Sequence, residues 1–197
     1  MEGALGEVLG RAKACTRCPL YKTRTNLVFG RGPADARIML IGEAPGKNED
    51  LQGQPFVGAA GHTLEDVLAT ADIDVDEVYI ANILKCRPPN NRDPQPDEIS
   101  ACTQLLDAQL AAIDPDVIVC LGRYAAQHML GEHADGVPMA NLHGHVWQVD
   151  GRYIVPVYHP AATIYDRTKL PALTHDLKGV KKLVERANER RAQRWRA

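Results

Sequence analysis

Long apolar runs are missing from this chain. Nowhere do about eighteen apolar residues follow one another, so no membrane-spanning helix is expected. A positively charged leader with an apolar stretch behind it is missing too: Met1-Glu2-Gly3-Ala4-Leu5-Gly6-Glu7 carries acids instead, and a cytoplasmic protein is the expectation. Internal repeats and low-complexity tracts are absent. So is a strong net charge, which at -2 argues neither for nor against a nucleic-acid partner. Five cysteines in such a context do not make a disulfide framework. What is present, 45% hydrophobic and 24% charged residues in 197, is the composition of an ordinary globular chain, large enough to bury a core as one domain spanning 1–197.

The charge that does exist is unevenly spread. Residues 11–37 hold seven Lys or Arg and one acid, and residues 169–197 hold nine against three. Between them, residues 43–77 carry nine acids and one Lys. Basic ends of this kind suit a polyanion, although the C-terminal run alone reads more simply as the solvated face and tail of a helix.

Apolar runs at Ile38-Met39-Leu40-Ile41, Val78-Tyr79-Ile80-Ala81-Asn82 and Val117-Ile118-Val119-Cys120-Leu121 read as buried strands. Residues 146–149 and 153–158 read as two more, with Asp150-Gly151 as the hairpin turn between them. Helical spacing predicts helices over 5–14, 61–71, from Pro96 onward with Ile99, Cys102, Leu105, Leu106, Leu110 and Ile113 inward, over 123–130, and as one long helix over 171–194. This alternation argues an α/β fold with a parallel, doubly wound sheet. In such sheets ligands bind beyond the carboxyl ends of the strands. There the first strand runs into Gly42-Glu43-Ala44-Pro45-Gly46, followed by Glu49-Asp50 and Pro55-Phe56-Val57-Gly58. The second runs into the proline-rich loop 85–94, and the last ends at His159-Pro160-Ala161.

Cys15-x2-Cys18 asks for a metal or redox role in a reducing compartment. Cys86 in the proline-rich loop and Cys102 in the helix after it could meet that pair and pin the N-terminal arm. Four thiolates suit Zn or an iron-sulfur cluster. Cys120, inside a strand, reads as a core residue. His143-Gly144-His145 reads as a turn ahead of a strand.

Taken in order, these motifs resemble the family-4 uracil-DNA glycosylases, the iron-sulfur branch of that superfamily, from about Cys15 to Leu183. The resemblance implies a three-layer α/β/α sandwich around a mainly parallel four-stranded sheet. It also implies a structural 4Fe-4S cluster on Cys15, Cys18, Cys86 and Cys102, and a monomer that excises uracil from single- or double-stranded DNA in base excision repair. Residue chemistry agrees with it. Uracil must leave the base stack for a pocket that holds its face and tests its edge. Phe56 offers the face, with Gly42 and Ala44 in the turn beside it. Asn82 carries both a donor and an acceptor for uracil O4 and N3-H, a pattern cytosine inverts. His159 can donate to O2 as the base departs with negative charge. Ala44 stands where the best-studied branch of the superfamily has an aspartate, so the water-orienting group is open between Glu43 and Glu49. Glu49 could instead line the C5 edge of the base. Relatives follow the His-Pro motif with leucines and an arginine that wedge into the duplex; here Ile164, Tyr165 and Arg167 occupy that loop. Two other readings remain: the branch that crosslinks to the excised sugar through a histidine, which loop 87–95 lacks, and a non-catalytic nucleic-acid binder with a structural metal.

Overall fold

The computed structural model describes the backbone of residues 3–194 and the side chains of residues 3–189; the end of the basic tail, 195–197, lies outside the described residues. Each apolar run forms a strand with every residue buried: β1 (Ile38–Gly42), β2 (Val78–Asn82) and β3 (Val117–Leu121). With β5 (Arg152–Val157) they make four parallel strands, and β4 (Trp147–Val149) adds a fifth, antiparallel, to give the order β2-β1-β3-β5-β4. The β4–β5 hairpin turns on Asp150 and Gly151, both at positive φ (49° and 82°), as a tight two-residue turn requires.

Alternate residues of each strand enter different cores. Met39, Ile41, Tyr79, Ala81, Ile118 and Cys120 face α1 (Ala4–Lys13), α4 (Pro96–Ile113) and α5 (Arg123–Leu130). Ile38, Leu40, Val78, Ile80, Val117 and Val119 face α3 (Ala59–Thr70), α8 (Leu170–Lys178) and α9 (Val180–Arg194). That is the expected α/β/α sandwich, and Cys120 is the core residue it was read to be. Each fully buried Leu, Ile or Val contributes about 1.5–3 kcal/mol through apolar burial.

Several elements depart from the sequence expectation. The long helix over 171–194 is two helices, α8 and α9, separated at Gly179. Residues 47–52, expected as loop, form a short helix, α2 (Lys47–Gln52), with Gly53 at its C-cap in the left-handed region (φ 71°). The N-terminal arm, expected to need its cysteines for attachment, is docked by α1, whose Leu5, Val8 and Ala12 are buried against the α4 side of the core. The basic C-terminal run does not gather at the strands' carboxyl ends: Lys169 stands over the Tyr158 ring just past β5, but Lys181 of α9 pairs with Asp72 at 2.7 Å and lies beside Arg37 and Ile38 at the amino end of β1.

No helix among the described residues is long and apolar enough to cross a membrane.

Candidate active site and cysteine cavity

The chain leaves β1 toward β2 on one side and leaves β3 toward β5 on the other, and a crevice opens where the loops diverge. A cleft of about 340 Å³ lies there. It is lined by residues 43–49 after β1, by Phe56, by Asn82 at the end of β2, by Pro88, Asn91 and Arg92, and by His159 with Ala161, Ile164 and Tyr165.

Phe56, Asn82 and His159 thus share one cleft. The Phe56 ring packs beside the His159 ring with centroids 5.7 Å apart and planes 29° from parallel. Its backbone is left-handed (φ 54°), a strained state for a bulky residue that persists only where surroundings enforce it. Gly61 makes room for it, because a Cβ there would stand 2.1 Å from the Phe56 carbonyl oxygen. Gly42 acts in the same way rather than as a lining residue. It pairs with Asn82 across β1 and β2, and a Cβ on it would fall 2.4 Å from Asn82 Oδ1 and 2.8 Å from Phe56 Cζ. Ala44 lines the cleft itself.

Asn82 is 3% exposed, yet its carboxamide has no hydrogen-bond partner among the described residues, while its backbone carbonyl accepts from Lys85 Nζ at 2.7 Å. That carboxamide lines the cleft, where its donor and acceptor are free to pair with a ligand. His159 caps α7 (Pro160–Tyr165): its Nδ1 accepts from the Ala161 N–H at 3.1 Å. In a neutral ring the proton is then on Nε2, which has no protein partner among the described residues. Burial pushes this imidazole down to about 4, so the neutral form prevails at neutral pH.

The two candidate carboxylates differ in their surroundings. Glu49 Oε1 accepts from the N–H groups of Val57 and Gly58 at 3.0 and 2.8 Å, clamping the loop that carries Phe56 at the start of α3. Glu43 carries no such bonds. Burial first, and the charge of Asp93 second, push its carboxyl above the ordinary value, against an opposing effect of Arg123.

At the cleft mouth, Ile164 is 46% and Tyr165 91% exposed; Arg167 is exposed but does not line the cleft. Loop 88–92 was missed by sequence reasoning as a cleft wall. It is anchored by the Arg92–Glu98 pair (2.9 and 2.6 Å), and Asn90 and Asn91 lie in the left-handed region. A run of Pro-Pro-Asn-Asn signals a turn but not what the turn faces.

Cys15, Cys18, Cys86 and Cys102 line a second cavity together with Arg24 and Lys85. Arg24 Nη1 donates to Cys86 Sγ at 3.3 Å and the Lys85 N–H to Cys102 Sγ at 3.2 Å. Burial pushes the Cys102 thiol up to about 11 and raises Cys18 and Cys86 as well. At Cys15 burial acts the same way, but hydrogen bonds and charge from Arg17 outweigh it and the net shift is down. No three His, Cys, Asp or Glu side chains among the described residues close on a single ion. Still, four thiols on one cavity with N–H donors to two of the sulfurs are the donor set an iron-sulfur cluster takes. His143, by contrast, is engaged within the fold, pairing with Asp176 through Nδ1 at 2.8 Å and packing on Tyr158 at 4.4 Å, with Gly144 turning at φ 75°.

The sequence profile described as the Uracil DNA glycosylase superfamily matches residues 29–187. The chain is similar to the type-4 uracil-DNA glycosylase of Archaeoglobus fulgidus, at 46% identity over 82% of this chain and 84% of that protein. It is also similar to the type-4 enzymes of Sulfurisphaera tokodaii (42%, over 87% of this chain and 80% of that protein) and Thermotoga maritima (44%, over 80% and 82%).

Proposed function

Because the chain belongs to the uracil-DNA glycosylase superfamily, we infer that it is a repair enzyme that removes uracil from DNA and leaves an abasic site. The observation that carries the reading is the meeting of an aromatic face, a carboxamide left free of protein partners and a neutral imidazole in one cleft at the switch point of the sheet.

The flipped uracil lies against Phe56, and Asn82 pairs with O4 and N3-H. Cytosine would leave both amide groups unmatched in a buried site, which is an expensive error. As the C1′–N1 bond lengthens, its electron pair goes to the base, and charge gathers on O2. Nε2–H of His159 donates to that oxygen, a bond that strengthens in the transition state. The sugar becomes oxocarbenium-like and water adds at C1′. Glu43 is the better placed carboxylate to orient that water, since its oxygens are free of the loop clamp that occupies Glu49. Glu49 then acts by holding the Phe56 loop. Ile164 and Tyr165 fill the space the base vacates, and Arg167 meets the backbone beyond them.

Cys15, Cys18, Cys86 and Cys102 would hold a 4Fe-4S cluster, which when bound cross-links the N-terminal arm to the loop and helix after β2. The protein works as a monomer, with one glycosylase domain, in the cytoplasm.

Incubation with a uracil-containing oligonucleotide tests the function. Free uracil and alkali-labile strands are expected; a denaturation-resistant adduct would indicate the crosslinking branch, and retention without chemistry a binder. A brown protein with broad visible absorption and bound iron is expected, whereas a colourless one holding Zn would rule out the cluster.

A further inference from the structure

Lys85 is a lysine with 0% exposure, and lysines are almost never fully buried without a partner. No ion pair among the described residues includes it. Its ammonium donates to the backbone carbonyl of Asn82 at 2.7 Å, while the residue lines the cavity of the four cysteines and its own backbone N–H reaches Cys102 Sγ at 3.2 Å. A buried cation paired only with a neutral carbonyl is unfavourable unless a counter-charge stands near. The acidic group whose charge acts on this ammonium is Cys102, which becomes a thiolate when it ligates a metal.

Resting on the function proposed above, we infer that Lys85 is a positioning residue that joins the cysteine site to the reading of uracil. With a cluster bound, the Cys102 thiolate would supply the counter-charge to the ammonium, and the ammonium holds the end of β2, from which the Asn82 carboxamide enters the cleft. Between them, Ile83 and Leu84 give their N–H groups to the Gly42 and Glu43 carbonyls at 2.9 and 3.0 Å, so the segment is fixed laterally against β1. Lys85 adds a bond to the Asn82 carbonyl itself. The metal site then bears on base discrimination as well as on the arm.

The test compares iron-loaded wild type with Lys85→Met, which keeps the stem and removes the donor, and Lys85→Gln, which keeps a donor without charge. Iron content and visible absorption report loading, and affinity for undamaged DNA reports the remaining surface. Affinity for DNA carrying an uncleavable uracil nucleotide, relative to the same DNA carrying cytosine, reports the reading itself. Lys85→Met is expected to load iron and bind undamaged DNA as wild type does, while the uracil preference and the single-turnover excision rate fall by about tenfold or more. Lys85→Gln is expected to recover part of both. Loading with an unchanged uracil preference in Lys85→Met overturns the inference, as does failure of both variants to hold iron, which would make Lys85 a residue of metal-site assembly alone. Wild type that releases no uracil overturns the proposed function and this inference with it. Wild type that releases uracil beside an unimpaired Lys85→Met overturns this inference only.

Discussion

At His159 the direction of one hydrogen bond decides what the ring can offer a substrate. Because Nδ1 is taken by the Ala161 N–H, the neutral ring presents a donor, and burial keeps it neutral by pushing its pKa down to about 4. The depressed value makes a stability prediction. Between about pH 6.5, where an unfolded histidine titrates, and about pH 4, the unfolded chain binds a proton that the folded chain does not. Stability therefore falls as pH is lowered through that window. Thermal melting of wild type and His159→Gln should converge as pH drops from 7 to 4.5, since the glutamine variant lacks this titration. At pH 7 the variant should lose about 10²-fold or more in excision rate, measured in single turnover, as expected for removing a donor to a developing negative charge.

At the scale of elements, the site depends on short connections. Gly61→Ala would drive a Cβ into the Phe56 carbonyl, so a loss of about 2–4 kcal/mol in urea unfolding is expected together with weaker uracil binding. In α7, Ile164→Ala should weaken excision from paired DNA more than from single strands, with rates on the two substrates as the readout; equal losses would remove the wedge role. The strands were legible in the sequence because each is an unbroken apolar run, and the hairpin because Asp150-Gly151 supplies two positive φ angles. The break between α8 and α9 was not, because Leu173, Leu177, Val180 and Leu183 keep one apolar face across Gly179. Helix α2 was hidden by its length, although acids in its first turn and Gly53 after its end are the usual signals. Asn82 and His159 were legible as residues at the ends of strands in a doubly wound sheet, and Phe56 as an aromatic ring in the connection that follows the first strand. The clamp on Glu49 and the burial of Lys85 were not, since both depend on which backbone groups a fold brings within reach.

For the whole molecule, the cysteine cavity gathers three separated parts of the chain: the arm with Cys15 and Cys18, the loop with Cys86, and α4 with Cys102. Stripping the metal from loaded protein with a chelator should lower the melting temperature and open residues 15–27 to protease, while α1 stays docked through Leu5, Val8 and Ala12. Melting curves and limited proteolysis with and without chelator check this. The strand order has a separate consequence for biosynthesis. Phe56 and Asn82 come from the β1–β2 half of the sheet, made early on the ribosome, and His159 follows β5, which must dock on β3. With His159 as the proposed donor to the leaving base, a nascent chain would stay chemically silent toward DNA until its last third has emerged, and a truncation before β5 would lack that imidazole.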